Sequence, residues 1–125
     1  MSKNQVHEGG PGTKLPWTNG TGSLVAAGSV VKMADTIGIA AVDIADGSVG
    51  IVEIGGVFRN VPKTSGHAWA PGQKLVWDVS AGAFDTIAVT TATGDVTGAA
   101  IAWSTAASSD TTGVVKLTPG NATTS

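Results

Sequence analysis

The chain has no cysteine and no tyrosine, only two histidines and two phenylalanines in 125 residues, and no apolar run long enough to span a membrane. Without cysteine, disulfide frameworks and thiolate metal sites are excluded. His7 and His67 have no third ligand at a zinc-like spacing, so neither a metal site nor a cofactor is expected. Charge is scarce as well: seven basic and nine acidic residues make 13% of the chain, with a net charge of −2, where about 25% is usual. That balance supplies no basic patch to neutralise phosphates and no polybasic segment for anionic lipid, so neither nucleic acid nor membrane is expected as a partner. The first residues, Met1 to Glu8, lack the apolar centre of an export signal, and synthesis in the cytoplasm is the expectation.

What fills the chain instead is glycine, alanine, serine, threonine and valine. Hydrophobic residues make up 42% and glycine occurs 18 times. One domain of this length buries roughly two thirds of its unfolded surface, enough for a modest core. An uncharged, small-residue exterior suits a subunit packed against neighbours better than a freely diffusing monomer.

A glycine-punctuated strand phrase occurs twice. The first copy runs from Ala27-Gly28-Ser29-Val30-Val31 through Ile37-Gly38-Ile39 to Gly50-Ile51-Val52-Glu53-Ile54, and the second from Pro71-Gly72-Gln73-Lys74-Leu75-Val76 through Gly98-Ala99-Ala100-Ile101 to Gly113-Val114-Val115-Lys116-Leu117. A turn glycine before a short β-branched run spells a strand with a tight entry turn. Matching Gly28 to Gly72, Gly38 to Gly98 and Gly50 to Gly113 predicts two related halves, the second with insertions.

Strands are expected at 29–33, 37–42, 49–54, 57–61, 74–79, 86–91, 96–104 and 113–117, separated by glycine, proline and aspartate turns every eight to twelve residues. This is the pattern of an all-β, single-domain small β-barrel or β-sandwich of about eight to ten short strands, with no helix of useful length. Residues 1–22, rich in glycine and proline, read as an extended N-terminal arm, residues 23–118 as the β domain and residues 119–125 as a flexible C-terminal tail.

No catalytic constellation stands out. Gly9-Gly10-Pro11-Gly12-Thr13-Lys14 suggests a phosphate loop, but Thr13 separates glycine from lysine and Leu15-Pro16 stands where a helix should open. Asp43 and Asp46 resemble part of a calcium loop without its closing glutamate, and an ordinary turn is the simpler reading. Candidate contact residues are Lys14, Leu15, Pro16 and Trp17 in the arm, with His67 and Trp69 in a proline-flanked segment; a tryptophan in such a place is either an interface anchor or a ring packed over the end of a barrel. Trp77 reads as core, and Trp103 has no assignment.

The phrases Gly55-Gly56-Val57-Phe58, Ala70-Pro71-Gly72 with Val76-Trp77-Asp78, the Gly98-Ala99-Ala100 strand and Gly113-Val114-Val115-Lys116-Leu117 resemble a family of phage and prophage capsid cement, or head-decoration, proteins, from about Val6 to Leu117. The resemblance implies a compact β-fold, a homo-oligomer (dimer or trimer), attachment to the major capsid protein on the outside of an icosahedral head, and no enzymatic residues. It also brings a recombinase name given to some members, which would require a phosphate loop, a magnesium-binding acid and a basic DNA surface that this sequence lacks. The rival expectation is a carbohydrate- or receptor-binding β-module on the particle, with Trp69 and Trp103 stacking on sugar rings.

Overall fold

The computed structural model describes residues 12–87 and 89–125. They form ten strands in two antiparallel sheets and no helix. The first sheet contains β1 (Lys14–Thr18), β2 (Val30–Met33), β3 (Thr36–Ala40) and β4 (Val49–Glu53) in the order β1-β4-β3-β2. The second contains β5 (Gly56–Pro62), β6 (Lys74–Asp78), β7 (Ala83–Thr86), β8 (Val96–Ala102) and β9 (Thr112–Leu117) in the order β5-β9-β8-β6-β7, with β10 (Thr123–Thr124) beside β8. A parallel bridge between Lys63 and Phe84, with the Thr64 amide donating to the Phe84 carbonyl at 2.9 Å, joins the end of β5 to β7. The second sheet is thereby curled into a half-barrel.

The two halves are the same β unit used twice. In the first, the Gly28 amide donates to the Ala40 carbonyl and the Ala40 amide to Ser29; in the second, Gly72 donates to Ala102 and Ala102 to Gln73. The reciprocal bridge between Val25 and Ile44 returns as the one between Trp69 and Ala106, and the Asn19-to-Ser48 bond returns as Lys63 to Thr111. Strand order agrees too: β1-β4-β3-β2 maps onto β5-β9-β8-β6, and β7 is the insertion. One detail of the sequence match shifts. Because Ala40 corresponds to Ala102, Gly38 corresponds to Ala100, not Gly98; the β6–β8 register jumps between Lys74↔Ile101 and Val76↔Thr97, and Gly98 belongs to that irregularity.

The strand expected at 86–91 is displaced to Ala83–Thr86. Phe84 decides the matter: opposite Trp77, it meets that ring edge-on with centroids 4.9 Å apart and is fully buried, whereas Ile87 is left exposed. Two segments read as arm and tail carry ladder bonds. Lys14–Thr18 is the edge strand β1, and Thr123 and Thr124 pair with Thr97 and Val96.

The larger core lies in the second sheet around Trp69, Leu75, Trp77, Phe84, Val115 and Leu117, and Ile37 and Ile39 of β3 join it, so that β3 fastens the first sheet to the second. A smaller cluster of Val31, Met33, Ala40, Ile44 and Val52, flanked by Trp17, occupies the other face of the first sheet. The β2–β3 hairpin turns through Ala34 at φ 43°. A Cβ there is strained by about 1–2 kcal/mol, partly offset in glycine by its larger unfolded-state entropy, so Ala34→Gly is expected to raise stability by about 0.5–1 kcal/mol, read as a higher urea midpoint at unchanged m-value.

Candidate capsid-facing surface

Each repeat has a buried polar residue just after its first strand. In the first it is Asn19, whose side-chain amide donates to the carbonyls of Ser23 and Ile44, both at 2.8 Å, while its oxygen accepts from the Thr21 amide and hydroxyl. The equivalent in the second is Lys63, whose ammonium donates to the carbonyls of Thr64 and Asp110 and lies 5.4 Å from the centre of the Trp69 ring. Both gather the same pair of loops. With its amide fully engaged inside, Asn19 holds the 19–23 turn in place.

The carboxylates are occupied in the same way. Asp43 accepts from the Ala27 amide and Asp46 from the Gly22 amide, the turn role and not a calcium loop. Asp95 accepts from the amides of Val79 and Ala92, Asp110 from Ala107, and Asp35 from the Thr124 hydroxyl at 3.5 Å. Asp78 closes the β6–β7 turn, and the Ala81 amide, then the Ser80 hydroxyl, hold its carboxyl below the ordinary aspartate range. Glu53 pairs with Lys14 and Asp85 with His67. Of the nine acidic residues only Glu8 lies outside the described residues, and each of the other eight already accepts a hydrogen bond. Among the described residues no group of three or more His, Asp or Glu side chains converges as a metal site would.

The six residues singled out in the sequence separate into three environments. Lys14, Leu15, Pro16 and Trp17 lie together in β1, opposite Glu53, Val52, Ile51 and Gly50. The Thr13 carbonyl and the Asn19 amide bond toward β4, so the backbone groups of Lys14, Pro16 and Thr18 point to the free edge. Proline there removes an outward N–H, which blunts the edge against pairing with another strand. Leu15 and Pro16 are exposed, whereas Trp17 is half-buried against the smaller core. His67 is half-exposed, its Nδ1 3.0 Å from the buried carboxylate of Asp85. Trp69 is apart from both: at 2% exposure it is inside its own chain, the second of the two readings open to it. A sugar platform built from Trp69 and Trp103 is therefore not formed, since only Trp103 reaches the surface, at 53% exposure.

The surface carries two further features. A cleft of about 670 Å³ between the repeats is lined by Ser29, Val30, Arg59, Asn60 and the edge of Trp77. On the curled sheet, Trp103 continues β8 and donates its amide to the Val114 carbonyl at 2.9 Å. Its exposure could not be read from the sequence, because Trp69 and Trp103 have similar flanks. The repeat was the available signal: Trp103 aligns with Ala41, a residue at the corresponding strand end.

A model of the phage cement protein family matches residues 10–117, nearly the whole chain and both repeats. The chain belongs to the phage cement protein family. A search of curated proteins and a search of solved structures each returned no match. A cement protein is a structural protein of the phage capsid, so the place to look for its work is the outside of the two sheets. In this cement protein the carboxylates stitch loops together and the largest aromatic rings, Trp103 excepted, are turned inward.

Proposed function

We propose that this cement protein binds the outer face of the expanded lattice made by the major capsid protein, as a dimer or trimer, after synthesis in the cytoplasm of the bacterial host, and that it has no enzymatic activity. The single observation that carries the reading is the family match across residues 10–117. The low charge and the small-residue exterior support it, since such surfaces are suited to contact with neighbours. Stabilisation follows from mass action. A protein that binds only the expanded lattice stabilises it by RT ln(1 + [L]/Kd), about 2.7 kcal/mol per site at a hundredfold excess over Kd, repeated at every occupied joint. The β1 edge, through Leu15 and Pro16, and the half-exposed His67 supply part of the contact; residues 1–11 of the arm lie outside the described residues.

Mixing the purified protein with expanded capsids that lack it is expected to give co-sedimentation and a higher capsid disruption temperature. Removing residues 1–11 is expected to weaken attachment while the melting temperature of the isolated protein holds. The cut stops before Lys14 because β1 is part of the first sheet. Capsids whose disruption temperature is unmoved by saturating protein would refute the reading.

A further inference from the structure

We infer that the outer face of the second sheet, where Lys74, Ile101, Lys116 and Val57 form one cross-strand row beside Trp103, docks an acidic segment of the capsid partner; the inference rests on the attachment proposed above. The row follows from register. Lys74 stands opposite Ile101, Ile101 opposite Lys116, and Lys116 opposite Val57, and directly opposed residues in an antiparallel ladder share a face. Trp103 lies two residues beyond Ile101, opposite Val114, on the same side. Val57 is 43% exposed and Trp103 53% exposed, Lys74 is exposed, and Ile101 and Lys116 are half-buried.

The two repeats use this face differently. Lys74 and Ile101 correspond to Val30 and Ile39 of the first repeat. There Ile39, buried, and Val30, partly so, pack into the larger core, and Glu53 and Lys14 complete the row as an ion pair. In the second repeat the apolar centre is kept as Ile101, but it is flanked by two lysines, and the alanine of the first repeat's strand end is replaced by tryptophan. Lysines that served only to keep a solvent-facing sheet apart from others would call for no exposed Trp103 and Val57 beside them. An apolar anchor flanked by cations that have no carboxylate partner among the described residues matches a partner that offers both apolar and acidic side chains.

Charge complementarity selects the occupant. Among the described residues, Lys74 and Lys116 have no carboxylate within salt-bridge distance, and the eight described carboxylates already accept bonds elsewhere. The face is therefore locally cationic in a chain of net charge −2. Two lysines are too few for the phosphate neutralisation on which nucleic-acid binding depends, whereas two lysines around a tryptophan suffice for one acidic protein segment.

The test uses the full chain and expanded capsids lacking it. Trp103→Ala is expected to weaken capsid binding by at least about tenfold. The double variant Lys74→Glu, Lys116→Glu is expected to weaken it to a similar degree and to flatten its salt dependence, because charge reversal removes the attraction that salt screens. These side chains lie outside the core, so both variants should melt within a few degrees of the unaltered protein. Val49→Ser, an exposed position on the first sheet, should bind as the unaltered protein does. If the unaltered protein sediments with capsids and both variants do so with unchanged affinity, this assignment falls and the attachment reading stands. If the unaltered protein itself fails to sediment, the attachment reading falls. Loss of a homo-oligomer in the variants by sedimentation velocity, or quenching of Trp103 by a glycan or an oligonucleotide in the absence of capsids, would also overturn the acidic-segment assignment.

Discussion

Trp69→Ala is expected to lower the free energy of unfolding by about 3–5 kcal/mol, the range for deleting a buried aromatic ring, and the melting temperature by roughly 10–20 °C for a chain of this size. The ring is 2% exposed and held from three sides. Its backbone exchanges both hydrogen bonds with Ala106, Gly113 of β9 lies directly beneath it, and the Lys63 ammonium approaches its face. An alanine there leaves a hole that neighbours cannot fill, because Ala106 and Gly113 have almost no side chain with which to collapse into it. Filling the site from the other direction is equally harmful. A Cβ added at Gly113 would fall within 2.9 Å of Trp69 Cη2 and closer still to Cζ2, so Gly113→Ala should cost about 1–3 kcal/mol by overpacking.

Trp69→Phe separates ring from polar atom. The indole Nε1 is buried with no hydrogen-bond partner, so its removal relieves a desolvated donor and leaves most of the apolar contact. The expected loss is about 1 kcal/mol, well below that of alanine. Guanidinium unfolding of the three proteins checks the order. A Trp69→Ala variant within 1 kcal/mol of the parent would mean that the ring is not a keystone of the second repeat.

Gly98→Ala is expected to cost about 2–4 kcal/mol, and about half of that cost should disappear when residues 119–125 are removed. Two effects coincide at this position. The backbone at φ 86° disfavours any Cβ, by about 1–2 kcal/mol. That Cβ would also lie 2.6 Å from the carbonyl oxygen of Asn121, a backbone atom that cannot rotate away. The strand irregularity at Gly98 thus makes room for the chain that leads into β10, and Thr118 reinforces the approach by donating its hydroxyl to the Gly98 carbonyl. Without residues 119–125 the steric part vanishes and only the conformational part remains, so a double-mutant cycle should show coupling of more than 1 kcal/mol. In the full-length Gly98→Ala protein, amide exchange should quicken first at Ser125 and Gly94, whose amides bond across that end. Equal cost in the two backgrounds would show that the tail does not press on β8.

The site residues show why sequence and structure part company. Lys14, Leu15, Pro16 and Trp17 stand out in the sequence by their glycine- and proline-rich surroundings and His67 by its polarity; Lys14, Leu15, Pro16 and His67 are exposed, and Trp17 is half-buried. Trp69 and Trp103 are not distinguishable in that way. Each sits beside a short β segment among small residues, and what sends one ring inward is a glycine on another strand, Gly113, 44 residues further on (69 to 113). The outward fate of Trp103 depends likewise on the partner strand β9 and on the curl of the sheet. The lysine row is invisible in the sequence because Val57, Lys74, Ile101 and Lys116 come from four strands and share a face only once the ladder registers are set.

By itself the sequence determined the class and the rhythm of this protein: all-β, built from short strands between glycine and aspartate turns, in two related halves. Those properties are local, arising from β-branched runs and the turn chemistry of single residues, and nearby sequence is enough to dictate them. Only the tertiary structure decided that Phe84 draws β7 forward to Ala83–Thr86, that Lys14–Thr18 completes the first sheet, and that equivalent faces of the two repeats meet opposite fates, one buried through Ile39 and the other left open around Ile101. Each of these is a competition between distant partners for the same apolar surface, and packing across the sheets settles it.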